Sequence, residues 1–195
     1  MNTPNKLTIA RIILSPIFMV FFLVENVYCR AASLLIFAVA SFTDLWDGHL
    51  ARKYGIITGF GKFMDPLADK ILTSTAFISF AALGYVQPWM IMLIIIREFF
   101  ITGLRSLAAY RGMVISPSLS AKFKTVLQMV TIVAILLYIN LKTIMPALGY
   151  AGDFFEKQSV VQAFDWMVLI TMVVTVLTGI DYLIKNGAIL RGVLK

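Results

Sequence analysis

Long apolar runs, interrupted at intervals by glycine, proline and charge, set the pattern of this chain. They predict six helices, at Leu7–Val24, Ala31–Tyr54, Phe60–Leu83, Pro88–Tyr110, Leu119–Leu141 and Val161–Ile184. Each approaches the roughly 20 residues that cross a hydrocarbon core of about 30 Å. The breakers fall between the runs: Gly84 and Pro88 bracket one turn, Arg111-Gly112 and Ser116-Pro117 a second, Met145-Pro146, Gly149 and Gly152 a third. The expected fold is all-α, a polytopic membrane protein with six transmembrane helices and a single membrane-embedded domain over residues 1–195. The first run is long for a cleaved leader, and no small-residue cleavage pattern follows it.

Composition sharpens this picture. Of the 195 residues 60% are hydrophobic and only 14% charged, where soluble domains sit near roughly 45–50% and about 25%. The net charge of +7 would raise nucleic acid as a partner in a soluble protein, but no soluble basic module is present to carry it. The cations divide instead by side. With six spans both termini share one face, and fourteen of the 17 Lys and Arg residues fall to it, leaving Arg30, Lys142 and Lys157 on the other. The termini and the second and fourth connections are therefore expected in the cytoplasm. Lys70 and Arg97 lie inside spans and weigh less in that count. Cys29, the only cysteine, has no partner for a disulfide and no metal-ligand spacing around it, and reads as a packing residue.

The aspartates do not suit plain spans. Asp44 lies about 20 Å along its helix from Ala31, inside the cytoplasmic half of the bilayer, where an unpaired carboxylate costs several kcal/mol. Asp47 follows three residues later on the same face, and Asp65 and Asp69, four apart, share a face of the next helix. A short connection from Gly55 to Gly59 makes the two helices antiparallel neighbours. Measured from that turn all four carboxylates reach one depth, about 6–15 Å in. Four anions cannot share a low-dielectric pocket unpaired. Arg52, Lys62 and Lys70 neutralise them only in part, whereas divalent cations with oxygen ligands, magnesium or manganese, do so better. An internal salt-bridge cluster and an ion or metal transport pathway remain open at this point.

The spacing itself is Asp44-x-x-Asp47-Gly48-x-x-Ala51-Arg52, eight residues, then Gly61-x-x-x-Asp65-x-x-x-Asp69. It resembles, without departure, the signature of the CDP-alcohol phosphatidyltransferase family. The resemblance implies a six-helix membrane enzyme, commonly a homodimer, holding two divalent metal ions and displacing CMP from a CDP-linked lipid by an alcohol. By the same resemblance Asp44, Asp47, Asp65 and Asp69 are metal ligands, Asp69 is also the general base, and Gly48, Ala51, Arg52 and Gly61 form the CDP-binding surface. Further stretches, Thr3 to Arg11, Asp65-Pro66-Leu67-Ala68-Asp69-Lys70, Arg97-Glu98-Phe99, Gly103-Leu104-Arg105 and Lys122-Phe123-Lys124-Thr125, resemble a bacterial branch of the family. That branch joins CDP-diacylglycerol to sn-glycerol 3-phosphate in the inner membrane, with the site facing the cytoplasm. Serine, inositol phosphate or a phospholipid are the rival acceptors.

An acceptor carrying a phosphate needs cations that the aspartates do not cancel. Arg97, Arg105, Lys122 and Lys124 flank the fourth and fifth spans on the cytoplasmic side and are the expected acceptor-phosphate residues; Arg111 is weaker, and Arg97 reads equally well as the partner of a carboxylate. His49, about 200° around the helix from Asp47, is expected to face lipid or a neighbouring helix. Asp181 is expected to pair with Lys185 at helical spacing, and Trp89, Tyr150 and Trp166 to anchor the far interface.

Overall fold

The computed structural model describes residues 3–54, 59–113, 119–149 and 158–194, with side chains over 5–43, 64–113, 119–149 and 159–187. Six α-helices make up these residues: α1 Thr3–Leu23, α2 Val27–Tyr54, α3 Gly59–Ala82, α4 Pro88–Tyr110, α5 Leu119–Ala147 and α6 Gln158–Leu194. The apolar runs thus become helices one for one, with differences at the ends. α2 begins a turn earlier than Ala31, where Asn26 Oδ1 accepts hydrogen bonds from the Tyr28 and Cys29 amides at 2.9 and 3.4 Å and satisfies donors that open every helix. α5 runs past Leu141 to Ala147, and α6 past Ile184 to Leu194. Hydropathy marks where lipid contact ends, and a helix continues for as long as its own hydrogen bonds are made.

The expected turns close α3 and α4 in the same way. At the end of α3 the Tyr85 amide donates to the Phe80 carbonyl and the Gly84 amide to that of Ala81, both at 3.0 Å. At the end of α4 Met113 and Gly112 repeat the pattern onto Ala108 and Ala109, at 2.9 and 3.1 Å. These paired bonds require a left-handed residue after the helix, and Gly84 and Gly112 supply it with φ of 75° and 79°.

Cross-helix contacts fix the directions. Thr8, early in α1, meets Asp65, early in α3; Phe22, late in α1, meets Phe80, late in α3, with rings 5.7 Å apart. The Gln87 amide before α4 donates to Asp165 at the start of α6. Lys124, early in α5, reaches Glu98 at the middle of α4. One end of the bundle therefore collects the starts of α1, α3 and α5 with the last parts of α4 and α6. Among the described residues α2 and α3 touch each other sparingly, because α1 packs on both: Phe18 lies tilted against Phe37 of α2 with ring centres 5.3 Å apart while Phe22 lies against Phe80. The expected hairpin of direct neighbours is in this stretch a three-helix unit with α1 as its middle member.

The two ends differ in chemistry. Phe18, Phe22, Phe37, Phe77 and Phe80 are buried together in one half, and Tyr85, Tyr138 and Phe164 close α5 and α6 onto it edge-to-face. In the other half the buried residues include Thr8, Arg11, Glu98, Lys124 and Gln128. The outward surface is apolar on every helix, as at Val20, Leu35, Ile78, Ile96, Val126 and Ile170. So much exposed hydrocarbon marks a surface made for a lipid environment. Three stretches, Asn5–Leu23, Leu119–Ala147 and Ser159–Gly187, are long and apolar enough to cross a membrane by length and composition.

Candidate active site

The charged end is built from the first turns of α1, α3 and α5 and the last part of α4 and α6. Asp65 and Asp69 lie one turn apart on α3, both part-buried. Asp65 Oδ1 accepts a hydrogen bond from Thr8 Oγ1 of α1 at 2.5 Å, and Thr8 is fully buried, so one side of this part-buried carboxylate is fixed from within the bundle. Arg11, the next turn of α1, is also fully buried. It lines a cavity of about 290 Å³ with Ser41, Asp69, Lys70, Thr73, Thr125 and Gln128.

A second cavity, of about 330 Å³, lies between α4, α5 and α6 and is walled by Arg97, Glu98, Thr102, Arg105, Lys122, Lys124, Thr178 and Tyr182, with Lys70 and Thr125 shared with the first. At its floor Glu98, only 3% exposed, gathers three cations. Arg97 Nη1 donates to Glu98 Oε1 at 2.7 Å, Lys124 Nζ donates to the same oxygen, and Lys70 Nζ sits 3.3 Å from Oε2. Lys70 also donates to Asp69 Oδ2 at 2.8 Å. Arg97 is tethered at its other nitrogen, Nη2, to Thr178 Oγ1 of α6 at 3.1 Å. A helix-to-helix approach this close is permitted by Gly179, whose added Cβ would fall 2.9 Å from Arg97 Nε. Buried charges persist only when paired and hydrogen-bonded; every charge of this cluster is paired, while the buried Arg97 Nε makes no hydrogen bond. Five cations against one carboxylate line the cavity, so it is concave and electropositive. Arg105 and Lys122 stand exposed at its rim.

All four residues expected to meet an acceptor phosphate, Arg97, Arg105, Lys122 and Lys124, line this one cavity. Of the two readings of Arg97, the structure shows the pairing with a carboxylate. Arg111 is exposed, and Lys185 pairs with Asp181 at 2.9 Å as expected. Asp44, Asp47, Gly48, His49, Ala51 and Arg52 lie on α2, and Gly61 on α3; their side chains are outside the described residues, and so is any meeting of the four aspartates. Tyr150 falls outside them too. Among the described residues no group of three metal-ligating side chains is assembled. The two described aspartates offer hard carboxylate oxygens one turn apart, a donor set that suits magnesium or manganese.

Sequence reading did not single out Glu98, Thr8, Arg11, Gln128 or Thr178. For Glu98 a signal existed. It is the one carboxylate in α4, ten residues into an apolar span, and an ionisable group there is expensive unless it faces the bundle interior. Thr8, Gln128 and Thr178 carry no comparable mark, because hydroxyls and amides occur on lipid-facing and interior faces alike.

Comparison with known proteins gives a consistent answer. A family model described as CDP-alcohol phosphatidyltransferase matches residues 1–177. A protein of Bacillus subtilis (strain 168) named CDP-diacylglycerol--glycerol-3-phosphate 3-phosphatidyltransferase is 36% identical over 202 residues, covering 97% of each chain. One of the same name from Rickettsia typhi is 42% identical over 128 residues, 66% of this chain and 72% of its own. A probable phosphatidylglycerophosphate synthase of Mycobacterium tuberculosis (strain CDC 1551 / Oshkosh) is 37% identical over 187 residues, 94% of this chain and 81% of its own.

Proposed function

The chain belongs to the CDP-alcohol phosphatidyltransferase family, and we propose that it moves the phosphatidyl group of CDP-diacylglycerol to sn-glycerol 3-phosphate, giving phosphatidylglycerophosphate and CMP. The observation that carries the choice of a phosphorylated over an uncharged acceptor is the electropositive cavity opening next to Asp69. A phosphate monoester fills a seat lined by five cations, whereas an uncharged alcohol leaves them uncompensated. The relatives named for the same reaction support this reading.

In this reading the primary hydroxyl of the acceptor attacks the phosphorus that bears diacylglycerol. A new P–O bond forms, the pyrophosphate bond to CMP breaks, and the hydroxyl proton passes to the Asp69 carboxylate. Arg105 and Lys122 at the rim, with Lys124 and Arg97 at the floor, hold the acceptor's phosphate and so orient its far hydroxyl toward α3. Gly48, Ala51, Arg52 and Gly61 form the surface for the CDP moiety. Asp44, Asp47, Asp65 and Asp69 would hold two divalent cations, magnesium or manganese, which when bound would supply charge shielding for the pyrophosphate. Thr8 keeps Asp65 in the orientation that this task needs. The six helices are transmembrane, the chain works as a homodimer in the bacterial inner membrane, and the charged end faces the cytoplasm, where both water-soluble reactants are found. The three apolar stretches that are long enough to span support this. The charges of α3 and α4 turn inward, and their outer faces remain apolar at Ile78, Met92 and Ile96.

The deciding assay is CMP release by the purified full-length protein from CDP-diacylglycerol with a panel of alcohols. Turnover with glycerol 3-phosphate, and little with glycerol, serine or inositol phosphate, is expected. Preference for another member of the panel moves the chain to a different branch of the family.

A further inference from the structure

We propose that Lys70 is a positioning residue, holding the Asp69 carboxylate at the wall between the two cavities, and that Glu98 is the buried anchor that fixes Lys70 there. The inference rests on Asp69 being the base and on the electropositive cavity seating the acceptor. Lys70 and Thr125 are the residues that border both cavities. The Lys70 ammonium sits between two carboxylates, 2.8 Å from Asp69 Oδ2 and 3.3 Å from Glu98 Oε2. Successive residues of a helix point about 100° apart, so Asp69 and Lys70 do not face one another by default. A partner on another helix has to draw the long lysine stem across, and Glu98 of α4 does this.

The two oxygens of Glu98 divide the work: Oε1 takes Arg97 and Lys124, and Oε2 takes Lys70. A carboxylate on the floor of an anion's seat opposes the ligand, so its presence calls for a reason other than binding. Holding three cations, Lys124 buried and Lys70 and Arg97 partly so, in a fixed array is such a reason. Without Glu98 they repel one another, and Lys70 has no second anchor. The ammonium directs its donors to two carboxylates, while Arg105 and Lys122 remain at the exposed rim where a phosphate enters. Lys70 therefore lines the acceptor's cavity but commits its ammonium to the two carboxylates, serving the base on one side and the acceptor array on the other.

The test uses full-length protein and four variants, Lys70→Met, Lys70→Arg, Glu98→Gln and the double Lys70→Met/Glu98→Gln. For each, kcat and both Michaelis constants are measured by CMP release, together with equilibrium binding of CDP-diacylglycerol and thermal unfolding in detergent. Lys70→Met is expected to lower kcat at least about tenfold and to change KM for glycerol 3-phosphate less than about threefold, the signature of a loss felt in the transition state. Lys70→Arg, which keeps charge and reach, should recover most of the loss. Glu98→Gln should lower kcat too, and the double variant should fall within about threefold of Lys70→Met, because residues acting in series do not multiply. A raised acceptor KM with intact kcat in Lys70→Met makes Lys70 a phosphate ligand and overturns the proposal. Multiplying losses, or loss of CDP-lipid binding in Lys70→Met, also overturn it. If Glu98→Gln does not fold, the Met and Arg pair at position 70 decides alone. Failure of the underlying acceptor reading looks different, since wild-type protein would then release no CMP with glycerol 3-phosphate.

Discussion

Asp65 and Asp69 are one turn apart on the same helix, yet their surroundings differ, and the proposed function gives them different work. Asp65 is held by a buried threonine hydroxyl; Asp69 borders a cavity and leans on a lysine. Removing the charge of Asp65 should abolish turnover by losing metal, while Asp69→Asn should collapse the chemical step and retain CDP-lipid binding. Direct metal-binding measurements on the two variants separate them, and loss of metal from both would make Asp69 chiefly a ligand. Wild-type activity should vanish with a chelator and return with magnesium or manganese; undiminished turnover in metal-free protein would remove the carboxylates' proposed task. Arg105 offers a cleaner readout, since it stands at the rim, apart from the Glu98 cluster. A charge-assisted contact to a phosphate contributes about 1.5–3 kcal/mol, or roughly 10- to 150-fold in affinity. Arg105→Ala should raise KM for glycerol 3-phosphate by about that factor and leave KM for CDP-diacylglycerol nearly unchanged. Unaltered acceptor kinetics would return Arg105 to a mere topology signal.

At the scale of the helix, the existence and order of every element were legible, and their contacts were not. Apolar length, Gly84 and Gly112 were enough to divide the chain, because left-handed turn residues and long hydrocarbon runs act locally. Which helix lies beside which depends on side-chain fit that no periodicity reports. The placement of α1 between α2 and α3 depends on how Phe18 and Phe22 pack, and a phenylalanine facing lipid reads the same in sequence. The candidate site divided along the same line. Arg97, Arg105, Lys122 and Lys124 were legible because a cation beside an apolar run is conspicuous. Glu98, which organises them, was quoted within a motif and given no task. Gly179 was silent, since an isolated glycine in an apolar span has many explanations. Its position against Arg97 makes it testable. Gly179→Ala places a Cβ 2.9 Å from the present Arg97 Nε, and Arg97 is tied to both Glu98 and Thr178, so the guanidinium has to give up one tie. Acceptor KM should rise by up to about tenfold, the worth of one charge-assisted bond at the lower end. Donor kinetics should be spared, and Thr178→Val should reproduce part of the effect. Wild-type acceptor kinetics in Gly179→Ala would mean that the Arg97 position is not critical to the seat.

On the scale of the whole molecule, the division into an aromatic end and a charged end ties orientation to function. The charged end gathers the cations that the positive-inside rule assigns to the cytoplasm, and on the proposed function it also seats a water-soluble phosphate ester. On that proposal one arrangement serves both insertion and catalysis, and a chain inserted the other way would present its acceptor site to the wrong compartment. The orientation can be read without disturbing that charge balance. Tyr28, at the start of α2, and Tyr110, at the end of α4, are 84% and 89% exposed and lie at opposite ends of the bundle. With Cys29→Ser removing the only native thiol, Tyr28→Cys and Tyr110→Cys each provide a single reporter, and neither adds nor removes a lysine or arginine. In intact cells a membrane-impermeant maleimide should label the cysteine at position 28 from outside once the outer barrier is opened. The one at position 110 should react only after the inner membrane is permeabilised. Equal labelling of both would place the two helix ends on one side and break the six-span topology. A reversed pattern would put the electropositive cavity outside, and glycerol 3-phosphate could then not be the acceptor it meets in the cell.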